Sequence, residues 1–286
     1  MKIYTHQAPH HIDEVVAIAI IKTKHAGEEI DVVETSVIDP MQIDDGDYVI
    51  DVGRKYNPER GFFDHHQIDD PSISAMSLVV EDVMPELKAD ESFMDFVDTK
   101  SVSDNRGPYC LLHEMTQGNS GQFFAPFNSL FLIERAVVSM QIEESTDLLR
   151  HILITPILEK IKIRDEMLRD EHVSLTCYSR VALLSFREKA LDREFTRIRN
   201  EVSDILKVDS GQDLLVSVYP GSRDPENTVE IRRESKCSFD LHLLSDAFPD
   251  AVSFVHNSGF LAVMDIPFSD KERVGEVIEW LNEQLA

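Results

Sequence analysis

At 286 residues the chain exceeds the usual size of one domain, so one large domain or two modest ones is expected. Hydrophobic residues make up 42% and charged residues 28%, a globular composition that excludes wholesale disorder; 11 glycines and 12 prolines exclude collagen-like and linker-like chains. With 28 basic against 53 acidic residues the net charge is −25, which repels polyanions at long range and counts against a duplex-coating protein.

No apolar run approaches the ~18 to 20 residues that span a bilayer, so no membrane partner is expected. Cys110, Cys177 and Cys237 are an odd, widely spaced set without a C-x-x-C pair. That argues against a disulfide framework or a thiolate zinc site, and the expected location is a reducing cytoplasm.

Met1 to His6 lacks a signal-like apolar stretch, and Lys2 to Thr5 reads as a strand. Asp13 to Lys22 is apolar almost all round, which suits a buried helix. Ile30 to Val37 and Asp47 to Val52 are Val/Ile-rich strands, and Phe62-Phe63 begins another. Helical patterns follow over Ser74 to Met84 and from Asp90 to about Val102. This alternation predicts an α/β domain with a mainly parallel sheet covered on both faces.

From Phe127 to His172 the pattern is helical, a connector closing a first domain over 1–172. A smaller α/β domain is expected over 173–286, with strands at Val181 to Phe186, Leu214 to Tyr219, Thr228 to Ile231 and Phe260 to Met264. Its helices run from Leu191 to Leu206 and from a capping box at Ser269 and Glu272 to Leu285. Tyr109-Cys110 and Trp280 read as packing residues.

Five of the eleven histidines fall in two clusters, His6, His10 and His11 after the first strand and His65-His66 after Phe62-Phe63. Asp51 lies between them, at the end of Tyr48-Val49-Ile50. Ligand sites of parallel α/β sheets gather outside the carboxyl ends of strands, where all three features are expected. Mixed imidazole and carboxylate donors without thiolates suit manganese, iron or zinc, with magnesium less natural. Taken singly, Asp13 reads as a helix N-cap and Asp51 before Gly53 as a turn residue.

The order His6, His11-x-Asp13-Glu14, then Asp51-Val52-Gly53 with Tyr56-Asn57-Pro58, then Phe63-Asp64-His65-His66-Gln67 resembles the DHH phosphoesterase superfamily. Within it, the match is to the branch of melanocyte-proliferating-gene-type exonucleases. Ser103-Asp104-Asn105-Arg106-Gly107 resembles a further family element, and Phe254-Val255-His256 to Phe260 a C-terminal one. The chain departs from the branch at Ala8, His10, Arg54, Ser101, Arg106 and Ala262-Val263.

The resemblance implies two divalent ions, manganese first, held by His6, His11, Asp13, Asp51, His65 and Asp104, with Asp51 bridging. It also implies that His66 meets the scissile phosphate and that Asp64 orients the histidines. Two ions sharing a carboxylate can activate water and hold both oxygens of a phosphoester. Arg54, Arg232, Arg233 and His256 are candidate substrate contacts, since arginine suits bidentate phosphate binding.

The function implied is metal-dependent phosphodiester hydrolysis, with 3′-to-5′ trimming of single-stranded RNA or short oligonucleotides expected first. Dinucleotides, pyrophosphate or polyphosphate are small-anion alternatives that the charge tolerates better. A metal-stabilised binding module without turnover, and cleavage of an amide, are readings from other classes.

Overall fold

The computed structural model describes residues 1–106 and 137–286. Gly107, Tyr109, Cys110 and the opening of the connector expected from Phe127 lie outside the described residues. The chain forms two compact units, Met1–Ile161 and Lys162–Ala286.

In the first unit β1 (Lys2–Thr5), β2 (Asp31–Glu34), β3 (Tyr48–Ile50), β4 (Tyr56–Asn57) and β5 (Phe62–Phe63) form one sheet in the order β2-β1-β3-β5-β4. Three of its pairings, β1 with β2, β1 with β3 and β3 with β5, are parallel, and the fourth, β4 against β5, is antiparallel. Helix α1 (Ile12–Lys24) packs among the sheet, α2 (Ala75–Asp82), α3 (Glu91–Arg106) and α4 (Ile142–Leu149). Its apolar circumference explains this place: every residue from Val15 to Ile21 is wholly buried. Fully burying one Val or Ile is worth about 1.5 to 3 kcal/mol, so Ile18→Ala should cost about 2 to 5 kcal/mol. Lys22 is carried into this core with its ammonium donating to Thr146 Oγ1 at 2.8 Å and Asp147 Oδ1 at 3.1 Å.

Among the described residues helices cover one face of the sheet only, not both. The strands are so short that Tyr4, Val49 and Phe62 are the residues facing the other way, and Ile38, Ile43 and Val52 pack against them. The chain between β2 and β3, with one 3-10 turn at Pro40–Gln42, supplies that cover in place of a helix.

Past α4 a π-type turn at Arg150–Ile154 leads into α5 (Thr155–Arg169). In the second unit β6 (Val173–Tyr178), β7 (Val181–Phe186), β8 (Val216–Pro220), β9 (Val229–Arg233), β10 (Val252–Val255) and β11 (Leu261–Met264) form a mixed sheet, and the short helix α7 (Leu243–Ala247) precedes β10. Its order is β10-β11-β9-β8-β7-β6, with only β7 and β8 parallel. Val181, Leu183, Val216, Val218, Val229 and Ile231 face a core closed by α8 (Lys271–Leu285) through Val274, Val277, Ile278 and Leu281. On the opposite face α6 (Thr196–Asp209) packs Val202 against Val173 and Leu184. Trp280 packs edge-on against Phe239 and Phe248. Asp270, not Ser269, caps α8, its carboxylate accepting from the Arg273 N–H at 3.2 Å.

Candidate metal centre

Three parallel strands end side by side, and each is followed at once by a metal-type donor. His6 follows β1, Asp51 follows β3, and Asp64-His65-His66 follows β5. The first turn of α1 adds Asp13 and Glu14, and the last turn of α3 adds Asp104. Gly61 sets up the β5 edge: it adopts φ +72°, and a Cβ there would lie 2.2 Å from the Asp47 carbonyl oxygen. Asp51 itself takes φ +54°, a left-handed conformation that non-glycine residues adopt at a cost.

Asp13 is not the helix N-cap, a place taken by His11. Its carboxylate is wholly buried, and neither oxygen has a hydrogen-bond partner. Burial raises its pKa well above the usual carboxylate range, and the neighbouring charges of Asp51 and Asp104 push the same way. His65, 3% exposed, has Nε2 3.2 Å from Asp51 Oδ1 and 3.3 Å from Asp104 Oδ2. Burial works to lower the His65 imidazole, but the Asp104 and Asp51 carboxylates outweigh it and take it to about 10. For Asp104 burial is likewise outweighed, by His65 foremost, and its pKa is lowered.

His6 Nδ1 lies 2.7 Å from the Gln7 carbonyl oxygen, which fixes the ring and leaves Nε2 facing the carboxylates. That nitrogen is 2.6 Å from Glu14 Oε2 and 3.6 Å from Asp51 Oδ2. The Glu14 carboxylate, partly offset by burial, raises His6 to about 9. His11 Nδ1 lies 3.5 Å from Asp104 Oδ1.

Asp64 holds the β5 turn together. It accepts from the Arg54 N–H at 2.7 Å, the His66 N–H at 2.9 Å and His66 Nδ1 at 2.8 Å. It thus bonds His66 and not His65. The His66 side chain is half exposed, with the rest of its ring open to solvent.

The donor atoms of His6, His11 and Asp51, of His11, Asp13 and Asp104, and of Asp51, His65 and His66 each converge within 4.8 Å. The three groups share His11 and Asp51, so the donors form one continuous cluster rather than separate sites. Five of its buried atoms, His6 Nε2, both Asp13 oxygens, Asp51 Oδ1 and His65 Nε2, have no hydrogen-bond partner. Buried polar atoms rarely stay unpaired, and a carboxylate-rich cluster with unspent donors fits divalent cations.

Glu14 and His10 stand in the motif and cluster quoted from the sequence, which assigns neither a role. Glu14 is wholly buried and accepts from Thr5 Oγ1 at 3.0 Å, the His11 N–H at 2.9 Å and His10 Nδ1 at 2.8 Å. His10 Nε2 in turn lies 2.9 Å from Glu34 Oε1. The i, i+4 spacing of His10 and Glu14 was the available signal.

Among the expected substrate contacts, Arg54 is an exposed side chain on a left-handed residue, φ +52°. Arg232 is exposed on the α6 face of the second sheet, and Arg233 donates Nη1 to the Phe239 carbonyl oxygen at 3.0 Å. His256 sits in the turn between β10 and β11, Nδ1 2.9 Å from Ser258 Oγ and its ring 4.5 Å from that of Phe260. Asn105 Nδ2 donates to the Ile73 carbonyl oxygen at 2.7 Å and so ties the end of α3 to the segment before α2.

Residues 2–76 match the family described as MYG1_exonuc, uncharacterised protein family (UPF0160). Over 66 residues the chain is 38% identical to the MYG1 exonuclease of Bos taurus, which is 23% of this chain and 17% of that protein. Over 121 residues it is 28% identical to the MYG1 protein of Chlamydia trachomatis, 42% of this chain and 38% of that protein. The chain therefore spans well under half the length of these relatives, 17% and 38%. A solved structure titled pGpG-specific phosphodiesterase PggH, from Vibrio cholerae, is similar at a TM-score of 0.32 and 16% identity, covering 99% of this chain and 98% of that one. Among the described residues no helix is long and apolar enough to cross a membrane.

Proposed function

We propose that this chain, which over residues 2–76 is of the MYG1 exonuclease type among DHH phosphoesterases, is a metal-dependent phosphodiester hydrolase. The observation that carries the reading is Asp13: a wholly buried carboxylate with two unpartnered oxygens, set beside Asp51 and Asp104. Such a group is costly in a protein that binds no cation and ordinary in one that does. His6, His11, Asp13, Asp51, His65 and Asp104 would hold two divalent ions, Mn²⁺ first, with Asp51 shared. Bound there, the ions would supply Lewis acidity and a nucleophilic water.

The chain's own residues do the rest. The buried carboxylates balance cationic charge and fix donor positions before substrate arrives. Asp64 accepts from His66 Nδ1, which orients the half-exposed imidazole and leaves Nε2 to meet a phosphoryl oxygen. Protonated, that nitrogen donates to developing negative charge; neutral, it accepts a proton. Arg54, held in place through its N–H on Asp64, adds an exposed guanidinium next to this turn.

The substrate we propose first is single-stranded RNA or a short oligonucleotide, trimmed from its 3′ end, with Arg232, Arg233 and His256 as further proposed contacts. The net charge of −25 favours short substrates over long ones, so a dinucleotide is the second reading. The test is turnover of bis(p-nitrophenyl) phosphate with Mn²⁺, with and without chelator, followed by end-labelled RNA. Chelator-sensitive release of p-nitrophenolate is expected. Metal-induced thermal stabilisation with no turnover of any phosphodiester would instead mean a binding module.

A further inference from the structure

We infer that the second unit carries a ligand site of its own, a cavity beneath α6 that takes one planar aromatic anion of the nucleoside monophosphate class. The cavity holds about 250 Å³ and is lined wholly from within the unit, by one side of α6 and the facing parts of β7, β8 and β9. That volume lies just below the usual range of small-molecule pockets, roughly 300 Å³ upward, and suits at most one nucleotide.

Strand alternation explains why a cavity forms there. On the α8 face β8 and β9 present Val216, Val218, Val229 and Ile231, and the core closes. On the α6 face the same strands present Ser217, Tyr219, Arg232 and Glu230, the last held by Ser222, which leave α6 without an apolar surface to close upon. The apolar part of this face ends at Phe186 and Tyr219, whose rings lie 6.1 Å apart and give the floor an aromatic edge. Phe186 is fixed from behind by Arg199, 3% exposed, whose guanidinium lies 4.6 Å from the ring centroid.

Charge then selects the ligand. Lys207 is already held by Asp204 at 2.7 Å and Glu234 at 2.8 Å. Ser217 Oγ also donates to Glu234, at 2.7 Å. The Arg232 guanidinium makes no hydrogen bond or close ion pair among the described residues, although its charge acts on Glu234 and Tyr219, and it is left to meet a ligand. Arg233 turns its guanidinium to the Phe239 carbonyl oxygen, so the lining sets two cations, Lys207 and Arg232, against Asp204 and Glu234. The cavity is thus locally neutral in a chain of −25. Arg232, the cation without a close partner, matches a single phosphate, whereas a polyphosphate would meet Asp204 and Glu234. Guanidinium for the anion, aromatic edge for the base and the Asn200 amide for ring polar atoms make up the recognition set.

Naming a nucleotide among aromatic anions rests on the phosphodiesterase reading, whose product it would be. The experiment is calorimetry on the full chain in excess chelator with adenosine 5′-monophosphate, adenosine and inorganic phosphate, on wild type, Arg232→Gln and Asp51→Asn. The monophosphate should bind, adenosine and phosphate each at least about tenfold more weakly, and Arg232→Gln should weaken it by about tenfold. Asp51→Asn should leave it unchanged. Circular dichroism melts confirm that the variants fold. No binding in chelator, equal binding by Arg232→Gln, loss in Asp51→Asn, or phosphate binding as tightly as the monophosphate would each overturn the site. Turnover of a phosphodiester with Mn²⁺ is scored on the same wild-type preparation. Binding without turnover sinks the hydrolase reading alone, and turnover without binding sinks the cavity alone.

Discussion

Asp51 Oδ1 and His65 Nε2 lie 3.2 Å apart, both buried, and yet neither has a hydrogen-bond partner. Two such atoms so close would ordinarily swing into one hydrogen bond, because an unpaired buried polar atom costs about 1 to 3 kcal/mol. Their orientation leaves both unpaired, and Asp104 Oδ2 lies 3.3 Å from the same nitrogen, so three donor atoms crowd together. Asp51→Ala should therefore remove the donor common to two of the three convergent groups. Metal content by mass spectrometry should fall to background and turnover at saturating Mn²⁺ should vanish, with the circular dichroism spectrum preserved. Normal turnover in that variant would sink the two-ion assignment.

Asp13 allows a test that separates stability from function. Its folded-state pKa is raised, so between the unfolded value of 3.8 and the folded one, folding takes up a proton, and above both the ionised carboxylate destabilises the metal-free fold. Asp13→Asn removes that charge. Without metal the variant should be more stable than wild type at pH 7, by about 1 to 3 kcal/mol. With Mn²⁺ at a hundredfold excess over Kd, wild type should gain about 2.7 kcal/mol and the variant little or nothing. Urea melts with and without metal read both effects. A variant that is destabilised without metal contradicts this account of Asp13.

His65 and His66 are neighbours in sequence with opposite surroundings, 4% and 50% side-chain exposure. His65→Ala should lower metal affinity. His66→Ala should keep metal content near that of wild type and reduce kcat by about 10²-fold, as for loss of one donor to developing phosphoryl charge. Asp64→Asn should behave like His66→Ala in milder form, because Asp64 bonds His66 and not His65. Equal metal loss in both histidine variants would show that the division of roles is wrong.

Much of the first unit was legible because α1 is apolar all round and the histidine clusters and Asp51 follow apolar runs. What escaped has physical causes. β4 is two residues long, and β10 is an edge strand with Phe254 exposed, so neither carries a clear alternation. β6 begins only four residues after α5 ends, where a helical run was expected to reach His172. In the site, Asp13 and Glu14 are adjacent carboxylates that composition cannot tell apart. Only the helix start separates them, turning Glu14 back onto the His11 N–H while Asp13 is left unpaired. Arg232 and Arg233 looked like one basic pair, but they are consecutive strand residues, and Arg233 is spent on the Phe239 carbonyl oxygen.

The second unit should show its own acid sensitivity through Glu234. Burial would raise this carboxyl, but Lys207 and then Ser217 outweigh it and hold its pKa below 4.5. A depressed folded value means that the contribution is fully present above the unfolded value of 4.5 and is lost as pH falls through the folded one. Lys207 is raised above 10.5, its burial being outweighed by Asp204 and Glu234, so its contribution is full below 10.5 and is lost on the alkaline side. Between those limits the pair is insensitive to pH. Glu234→Gln should cost about 1 kcal/mol at pH 7, since Lys207 keeps Asp204 as a partner and only part of the network is lost. Trp280, the single tryptophan, packs in this unit and reports its unfolding by fluorescence. The gap between wild type and variant should close towards pH 3; a gap constant from pH 3 to 7 would mean that Glu234 carries no shifted charge.

Substrate length is the last test, because charge and contacts pull in opposite directions. A chain of −25 repels an oligonucleotide more with each added phosphate, while Arg54, Arg232 and Arg233 attract only where they touch it. Turnover of an RNA dinucleotide, five-mer and twenty-mer is measured at two salt concentrations. If the second unit tracks the backbone, KM for the twenty-mer should rise with salt more steeply than KM for the dinucleotide, because each neutralised phosphate adds about 0.7 to the single-strand salt slope. Arg54→Ala, beside the His66 turn, should then raise KM for all three substrates alike. Arg232→Gln with Arg233→Gln should raise it for the longer two alone. If the surface only repels, added salt screens that repulsion and lowers KM for the twenty-mer instead. The sign of the twenty-mer's salt dependence thus separates an oligonucleotide exonuclease from a dinucleotide phosphodiesterase, and a fall in KM with salt would retire the polymer reading.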